Sequence, residues 1–531
     1  MKPRRQPATA VSALGLGLIA LLYRAYLRTV YWGHEEEDWG NLQLIRGVLD
    51  NPFSQVETEH MPLFTWLAAL STAIIGDPEV GAEIIAIGAG AGTVAITTWI
   101  GMRWFHPGVG LLAGVLLCFQ PEAALYSATP LREALFTLTV MGGIALLGSR
   151  REFLAGVLFS LAFLTRFNLA FSILPALVLW ALRPQLSPPL RRGRLVTLAI
   201  TTFTVVGWAT YYYSQEGTWA FWTGVMDRNT GDAVADLFVG ERIRAVLGAV
   251  SGVVFLVLPR HVGWLLVPLA FCGALRLRSA SIENEDGAKW LTLCAAGTLG
   301  LLITTALVSA YDWTHNLYWK WLTPSVPFFC ILGVHGGRVV FQGIQEHPYL
   351  QGLRPRSIGL SRLRIGAVTL LLAITLGGFI VETNKQIETS SRTYGTQVRI
   401  AEWFDAEWEG KGRILTWAYS IPAAYLQRQH REFPVRTWHD EGIPSDDGEA
   451  FGTWLLEQQV NLVLWYGEDG TGASDVAAFL GVGGEHQLGP VRLKALVSEP
   501  SYGVTAFLVV ASDLRQPSSI PSAAWFLGDE S

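Results

Sequence analysis

Ala82–Met102 reads AEIIAIGAGAGTVAITTWIGM, 21 residues with a single ionisable side chain, Glu83. A helix of about 20 apolar residues, rising about 1.5 Å per residue, covers the roughly 30 Å hydrocarbon core of a bilayer. Outward from this stretch, comparable runs occupy 9–27, 108–124, 131–148, 152–165, 167–182, 194–213, 262–275, 289–309, 321–337 and 364–382. They predict a polytopic membrane body with about eleven crossings, several of them short enough to require tilt or local thinning. Two further apolar stretches, 61–75 and 245–258, suit re-entrant or interfacial helices better than full spans. If both cross, the count becomes about thirteen.

Composition agrees. Of 531 residues, 50% are hydrophobic and 16% charged, against roughly 25% charged in a soluble domain. The mean hydropathy is +0.33. With 55 Gly, 21 Trp and 25 Phe, the chain is neither disordered, collagen-like nor a disulfide framework. An ordinary cytosolic enzyme could not solvate so much apolar surface. The net charge of −5 divides unevenly, with −9 from Asn384 onward and +4 before it. An acidic tail region on a mildly basic body argues against a nucleic-acid partner, because phosphate binding needs a basic face. Cys118, Cys272, Cys294 and Cys330 all lie in apolar segments, so no disulfide staples the C-terminal region and no Cys/His zinc spacing exists.

The positive-inside rule orients the body. With Lys2, Arg4 and Arg5 in the cytoplasm, eleven crossings also place Arg103, Arg150–Arg151, Arg183/Arg191/Arg192/Arg194, Arg276/Arg278 and Arg338/Arg354/Arg356/Arg362/Arg364 inside. The opposite loops, 28–81 and 214–244, are longer and more acidic or aromatic, and the C-terminal region falls outside. The apolar run near the N-terminus continues into Tyr23-Arg24-Ala25-Tyr26 without a small-residue cleavage site, which predicts a retained signal anchor. Beyond residue 382 the texture changes. Arg413–Trp417, Asn461–Trp465 and Val504–Val510 read as strands, and Val398–Trp408 and Ala450–Gln459 as helices. Gly467–Gly472 and Gly481–Gly484 read as loops. The expected fold is an all-α polytopic domain over 1–382, including an outer loop at 28–81, followed by a small α/β extracytoplasmic domain over 383–531. That organisation implies an integral protein of the plasma or inner membrane.

Ionisable and aromatic residues gather at span ends on the outer side. Trp32-Gly33-His34-Glu35-Glu36-Glu37-Asp38-Trp39-Gly40 follows the first span. Four consecutive carboxylates suit a solvated loop between interfacial tryptophans, a general base whose neighbours raise its proton affinity, or oxygen ligands for a divalent cation. Glu57-Thr58-Glu59-His60-Met61-Pro62-Leu63 opens the short helix at 61–75. Tyr126-Ser127-Ala128-Thr129-Pro130-Leu131-Arg132-Glu133 lies at the mouth of an apolar span, and Arg166-Phe167-Asn168 joins two spans on the same side. Arg132 and Glu133 read either as a snorkelling cation with a helix-start acid or as groups facing a cavity. The last cluster contains Tyr311, Asp312, Trp313, His315, Tyr318, Trp319, Lys320 and Trp321. Lys320 among these rings suits interfacial snorkelling or a lipid phosphate, with aromatic faces for a sugar.

The order of these motifs resembles the GT-C superfamily of polytopic glycosyltransferases, in its dolichyl-phosphate-mannose–protein mannosyltransferase and aminoarabinose-transferase-like branch. Glu37-Asp38 stands where the family has its acidic motif, and His60-Met61-Pro62-Leu63 resembles its Pro-Pro-Leu element. Arg103–Gly108, Pro121–Glu133, Gly156–Arg166 and Tyr318–Pro327 resemble the later elements in order. The acidic pair is reversed here, Met61 replaces one proline, and Lys320-Trp321 stands where Arg-Tyr is usual. The resemblance covers roughly 9–382. It implies transfer of a sugar from a polyprenyl-phosphate donor to a lipid, glycan or protein acceptor at the outer membrane surface, inverting the anomeric centre. Asp38 or Glu37 would be the base. Lys320, Arg132 and Arg166 would hold the donor phosphate, and Glu133, His60, Tyr126, Tyr318, Trp319 and His315 would contact substrate. The resemblance calls for no firm cofactor, while the acidic run admits a divalent cation. The competing reading is a transporter or flippase of a lipid-linked or sugar substrate. It would place charges near mid-span or show repeated halves, whereas here ionisable groups gather at span ends on one side and no internal repeat is seen.

Overall fold

The computed structural model describes residues 6–31, 36–51, 61–182, 188–217, 262–277, 284–308, 323–346, 358–408, 413–416, 435–437, 443–444, 447–465, 485–499, 504–514 and 516–522. The expected helix at 245–258 and the glycine loops at 467–472 and 481–484 lie outside them. The chain divides into two compact units, Met1–Thr29 with Ile45–Thr383, and Val30–Leu44 with Asn384–Ser531.

The first unit is helical. Its elements are α1 (Gln6–Val30), the second half of α2 (Glu36–Asp50), α3 (Pro62–Ile75), α4 (Pro78–Ile100) with a π-helical turn at Gly101–Phe105, α5 (Pro107–Phe119) and α6 (Pro121–Leu125). Then come α7 (Glu133–Gly148), α8 (Glu152–Thr165), α9 (Asn168–Ala181), α10 (Pro188–Glu216), α11 (Leu266–Leu275), α12 (Glu285–Val308), a 3-10 turn at Thr323–Ser325 and α13 (Val326–Glu346). Among the described residues, Ala8–Val30, Pro78–Phe105, Arg191–Gln215 and Thr323–Gly343 are each long and apolar enough to cross a membrane. Other apolar helices, such as α5, α7, α8, α9 and α11, have 10–17 residues. Their starts follow local chemistry. Pro78 and Pro107 sit at first helical positions, where a missing N–H costs nothing. Asp77 caps α4 by accepting from Glu79 N at 2.8 Å and Val80 N at 3.2 Å.

Several short helices end inside the body. Gln120 breaks the expected 108–124 span into α5 and α6. It is fully buried, and its Oε1 accepts from Ala123 N at 2.6 Å. Arg166 breaks the chain between α8 and α9 with an extended backbone. Such ends are tolerated at membrane depth only where protein or a cavity surrounds them. The helices between these ends pack closely. A Cβ on Gly336 of α13 would lie 1.8 Å from Leu269 O of α11, and one on Gly273 of α11 would lie 2.2 Å from Leu332 O of α13. Glycine at both positions lets the two backbones touch.

The segments expected as a span at 364–382 and a separate helix at 398–408 are one continuous helix, α14 (Ile358–Trp408). The 28–81 segment, expected as a loop ending in a short helix, also contains α2. Glu36, Glu37 and Asp38 occupy the first turn of that helix.

The second unit is built on a mixed six-stranded sheet of order β2-β1-β3-β6-β5-β4. The strands are β1 (Arg413–Thr416), β2 (Val435–Thr437), β3 (Val460–Trp465), β4 (Glu485–Leu488), β5 (Val491–Glu499) and β6 (Val504–Val510). β2, β1 and β3 are parallel, and β6, β5 and β4 continue antiparallel. Side chains alternate between faces. Ile414, Leu462, Leu464 and Leu508 pack with Ile400 and Phe404 of α14. Leu415, Val463, Phe507 and Val509 pack with Phe451 and Leu455 of α15 (Gly448–Glu457). Both faces are thus covered, which explains why β3 and β6 read as near-continuous apolar runs.

Candidate functional site

In the membrane body, polar chemistry concentrates on the stretch that leads into α7. Residues 120–133 are almost wholly buried although they include Gln120, Glu122, Ser127, Thr129, Arg132 and Glu133. Turns shape the segment: Ala128 N donates to Leu125 O at 2.9 Å and Leu131 N to Thr129 O at 2.7 Å. Arg24 of α1 holds it from the side. Its Nε donates to Ser127 Oγ at 2.5 Å, Nη2 to Ala123 O at 3.4 Å and Nη1 to Ala20 O at 3.3 Å. Arg24 is 1% exposed, so these bonds replace the hydration that its charge has lost. Gly90 makes room: a Cβ there would lie 2.5 Å from Ser127 Cβ and 2.6 Å from Arg24 Nε. One turn further along α1, Arg28 Nη2 pairs with Glu79 at 2.5 Å and Nε with Glu83, tying α1 to α4.

The segment delivers Arg132 as the N-cap residue of α7 and Glu133 as its first residue, both buried. Arg166, at the end of the antiparallel neighbour α8, reaches back so that its Nη1 donates to Glu133 Oε1. The Glu133 side chain is 0% exposed and that of Arg166 12%. The other carboxylate oxygen, Oε2, is buried and has no hydrogen-bond partner among the described residues. A guanidinium has five N–H donors, so pairing through Nη1 leaves Arg166 with donors for a second anion.

One turn into the body from Glu133 lies a small cleft of about 10 Å³, room for about one water molecule. Phe136 and Val140 of α7, Ile173 of α9, and Pro324 and Phe328 around the 3-10 turn give it apolar walls. Asn168, Ser172 and Thr298 add polar groups. The late proline element, Thr323–Ser325, therefore meets the same end of α7 as Arg132, Glu133 and Arg166.

The structure thus brings Glu133 and Arg166 into contact and sets Arg132 beside Glu133 in the chain. Tyr126 is 1% exposed, packed within the body. Glu37 and Asp38 lie in the first turn of α2, and their side chains are outside the described structure. His60, His315, Tyr318, Trp319 and Lys320 are also outside the described residues. Among the described residues, no three His, Cys, Asp or Glu side chains gather to hold a metal ion. Sequence reasoning missed the supports: Arg24, Gly90 and the Arg28–Glu79–Glu83 cluster. The i,i+4 spacing of Glu79 and Glu83 and an arginine inside a span were the available signals.

Comparison with known proteins follows this geometry. Residues 59–212 match the family model described as dolichyl-phosphate-mannose-protein mannosyltransferase. No curated protein matches the chain in sequence. The fold is shared with ArnT from Cupriavidus metallidurans in the apo state, at 14% identity and a TM-score of 0.55 over 94% of this chain and 98% of that one. The same protein bound to undecaprenyl phosphate aligns at 13% identity and a TM-score of 0.52, over the same shares. The Archaeoglobus fulgidus oligosaccharyltransferase tethered with an acceptor peptide aligns at 12% identity and a TM-score of 0.51, over 95% of this chain and 74% of that one. The family match spans 59–212, and what this chain shares with these solved structures over nearly its whole length is their fold.

Proposed function

We propose that the protein transfers a sugar from a polyprenyl-phosphate-linked donor to an acceptor hydroxyl at the outer membrane surface, with inversion. The observation that carries this reading is the buried Glu133–Arg166 pair beside Arg132, one turn of α7 away from a small apolar-walled cleft. Two arginines at the end of an apolar helix suit an amphiphile with an anionic head and a hydrocarbon tail. The undecaprenyl phosphate bound by the C. metallidurans protein of like fold supports a donor of that class.

In this reading Asp38, or Glu37 beside it, takes the proton of the acceptor hydroxyl from the first turn of α2. The acceptor oxygen forms a bond to the anomeric carbon, and the bond from that carbon to the phosphate oxygen breaks on the opposite face. The electron pair leaves with the prenyl phosphate. Arg132, Arg166 and Lys320 offset the charge that grows on the departing oxygen. Glu133 holds Arg166 in place through Oε1. His60, Tyr318, Trp319 and His315 complete the substrate contacts, while Tyr126, 1% exposed, packs within the body instead of meeting substrate. The acceptor is a lipid, glycan or protein hydroxyl, and the second unit helps to select it.

The test is transfer from radiolabelled polyprenyl-phosphate sugars by the purified full-length protein, with and without chelator. Losing a general base lowers the rate by about 10²–10⁴-fold, so Asp38→Asn or Glu37→Gln should do so while expression and monodispersity persist. Full activity in both variants removes the acidic run from the mechanism.

A further inference from the structure

The two ends of α7 border different cavities. Glu133 opens the helix at the site above, and Gly148 closes it after 16 residues, about 22 Å away at 1.5 Å per residue. At the Gly148 end lies a second cavity of about 70 Å³, open to the surface. It is bounded by the α7–α8 turn, the end of α9, the body of α10 and the start of α12. The reaction proposed above does not use it.

Its lining carries both charges. Arg150 and Arg194 bring two cations, and Glu152 and Asp286 bring two carboxylates. Singly, each is ordinary: acids suit the first turns of α8 and α12, and arginines suit span ends. Together they show more. Among the described residues, none of Arg150, Glu152 and Asp286 has an ion-pair partner. Trp290, which lines the cavity, is 1% exposed, and its indole N–H is buried with no acceptor among the described residues. Its ring is fixed, 5.7 Å from Trp180 and edge-on to Phe159 at 6.4 Å. Arg194, 6% exposed, is fixed too: its guanidinium lies 4.3 Å from the Trp180 centroid and donates to Trp180 O at 3.4 Å. Arg150 holds φ at 60° in a turn position that favours glycine.

A simple anion entering this cavity would meet Glu152 and Asp286, and a simple cation would meet Arg150 and Arg194. A ligand with an anion and a cation a few atoms apart satisfies both sets. The cavity opens at a helix-end level of a membrane body, where such a ligand is abundant as lipid. We propose that it binds the head group of a zwitterionic phospholipid in the leaflet opposite the Glu133 end. The phosphate would meet Arg150 and Arg194, and the ammonium would meet Glu152 and Asp286.

The test is native mass spectrometry of the full-length protein in detergent, titrated separately with phosphatidylethanolamine and phosphatidylglycerol. The expected result is one retained phosphatidylethanolamine, with phosphatidylglycerol bound at least about tenfold more weakly, the worth of one charge-assisted contact. Asp286→Asn and Arg150→Gln change exposed side chains, and thermal melting reports their folding. Each should weaken phosphatidylethanolamine by about tenfold, and Asp286→Asn should narrow the preference over phosphatidylglycerol. Equal retention of the two lipids, or unchanged retention by both folded variants, overturns the proposal.

Discussion

Glu133 and Arg166 form an ion pair between the start of α7 and the end of α8, with 0% of one side chain and 12% of the other exposed. Glu133→Gln keeps the shape and removes the charge. Deleting one partner of a buried pair typically costs about 3–5 kcal/mol, because the other charge is left without compensation. Arg166 retains a little access to solvent, so the cost belongs near the lower end, about 3 kcal/mol. Arg166→Met strands the fully buried carboxylate and belongs near the upper end, about 4–5 kcal/mol. The double variant has no orphaned charge. It should recover at least about 1.5 kcal/mol relative to the sum of the singles, a coupling within the range of contacting groups. Unfolding of the purified protein in mixed micelles, titrated with sodium dodecyl sulfate and read by tryptophan fluorescence, measures all four species. Costs that add to within about 0.5 kcal/mol would falsify the ion pair as a structural unit. The same four proteins separate support from chemistry: the double variant regains stability and does not regain transfer.

Gly336→Ala places a methyl 1.8 Å from a backbone oxygen of α11, so it should cost about 1–3 kcal/mol in the same unfolding assay. Gly337→Ala, whose added Cβ meets only Leu269 Cδ1 at 3.6 Å, is the near-neutral control. Asp447 caps α15 by accepting from Glu449 N at 2.9 Å and Ala450 N at 3.3 Å. Asp447→Ala should cost that helix about 1 kcal/mol, seen as faster amide hydrogen exchange at 449–451 in the full-length protein. Arg24→Lys keeps the charge and loses the fork that bonds Ser127 and the Ala123 carbonyl. It should therefore destabilise the protein and lower transfer nearly as far as Arg24→Met does, and full rescue by lysine would refute the clamp.

The sequence disclosed the membrane body because a bilayer selects for runs of about 20 apolar residues. It disclosed most where charges bracket a run: 152–165 lies between Arg151 and Arg166 and is the observed α8. β1, β3 and β6 were legible as apolar runs because helices cover both faces of the sheet. β5 was not, because Arg492 and Lys494 alternate with Val491 and Leu493. The continuity of α14 was hidden by its polar middle, including Glu382, Asn384, Lys385 and Glu388, which offers no apolar stripe to read. At the site, hydropathy could gather polar residues at span ends, but a span end reads alike whether it meets water or the protein interior. Only the fold separates the two. Gln120, Arg132, Glu133 and Arg166 lie at helix ends within the packed body, where each polar group needs a partner. The supports needed are distant in sequence, since Arg24 meets Ser127 across 103 residues and Glu133 meets Arg166 across 33. A bundle whose helices stop inside it must satisfy those ends with side chains, and here those side chains come from elements far apart in the chain, which no local pattern could pair.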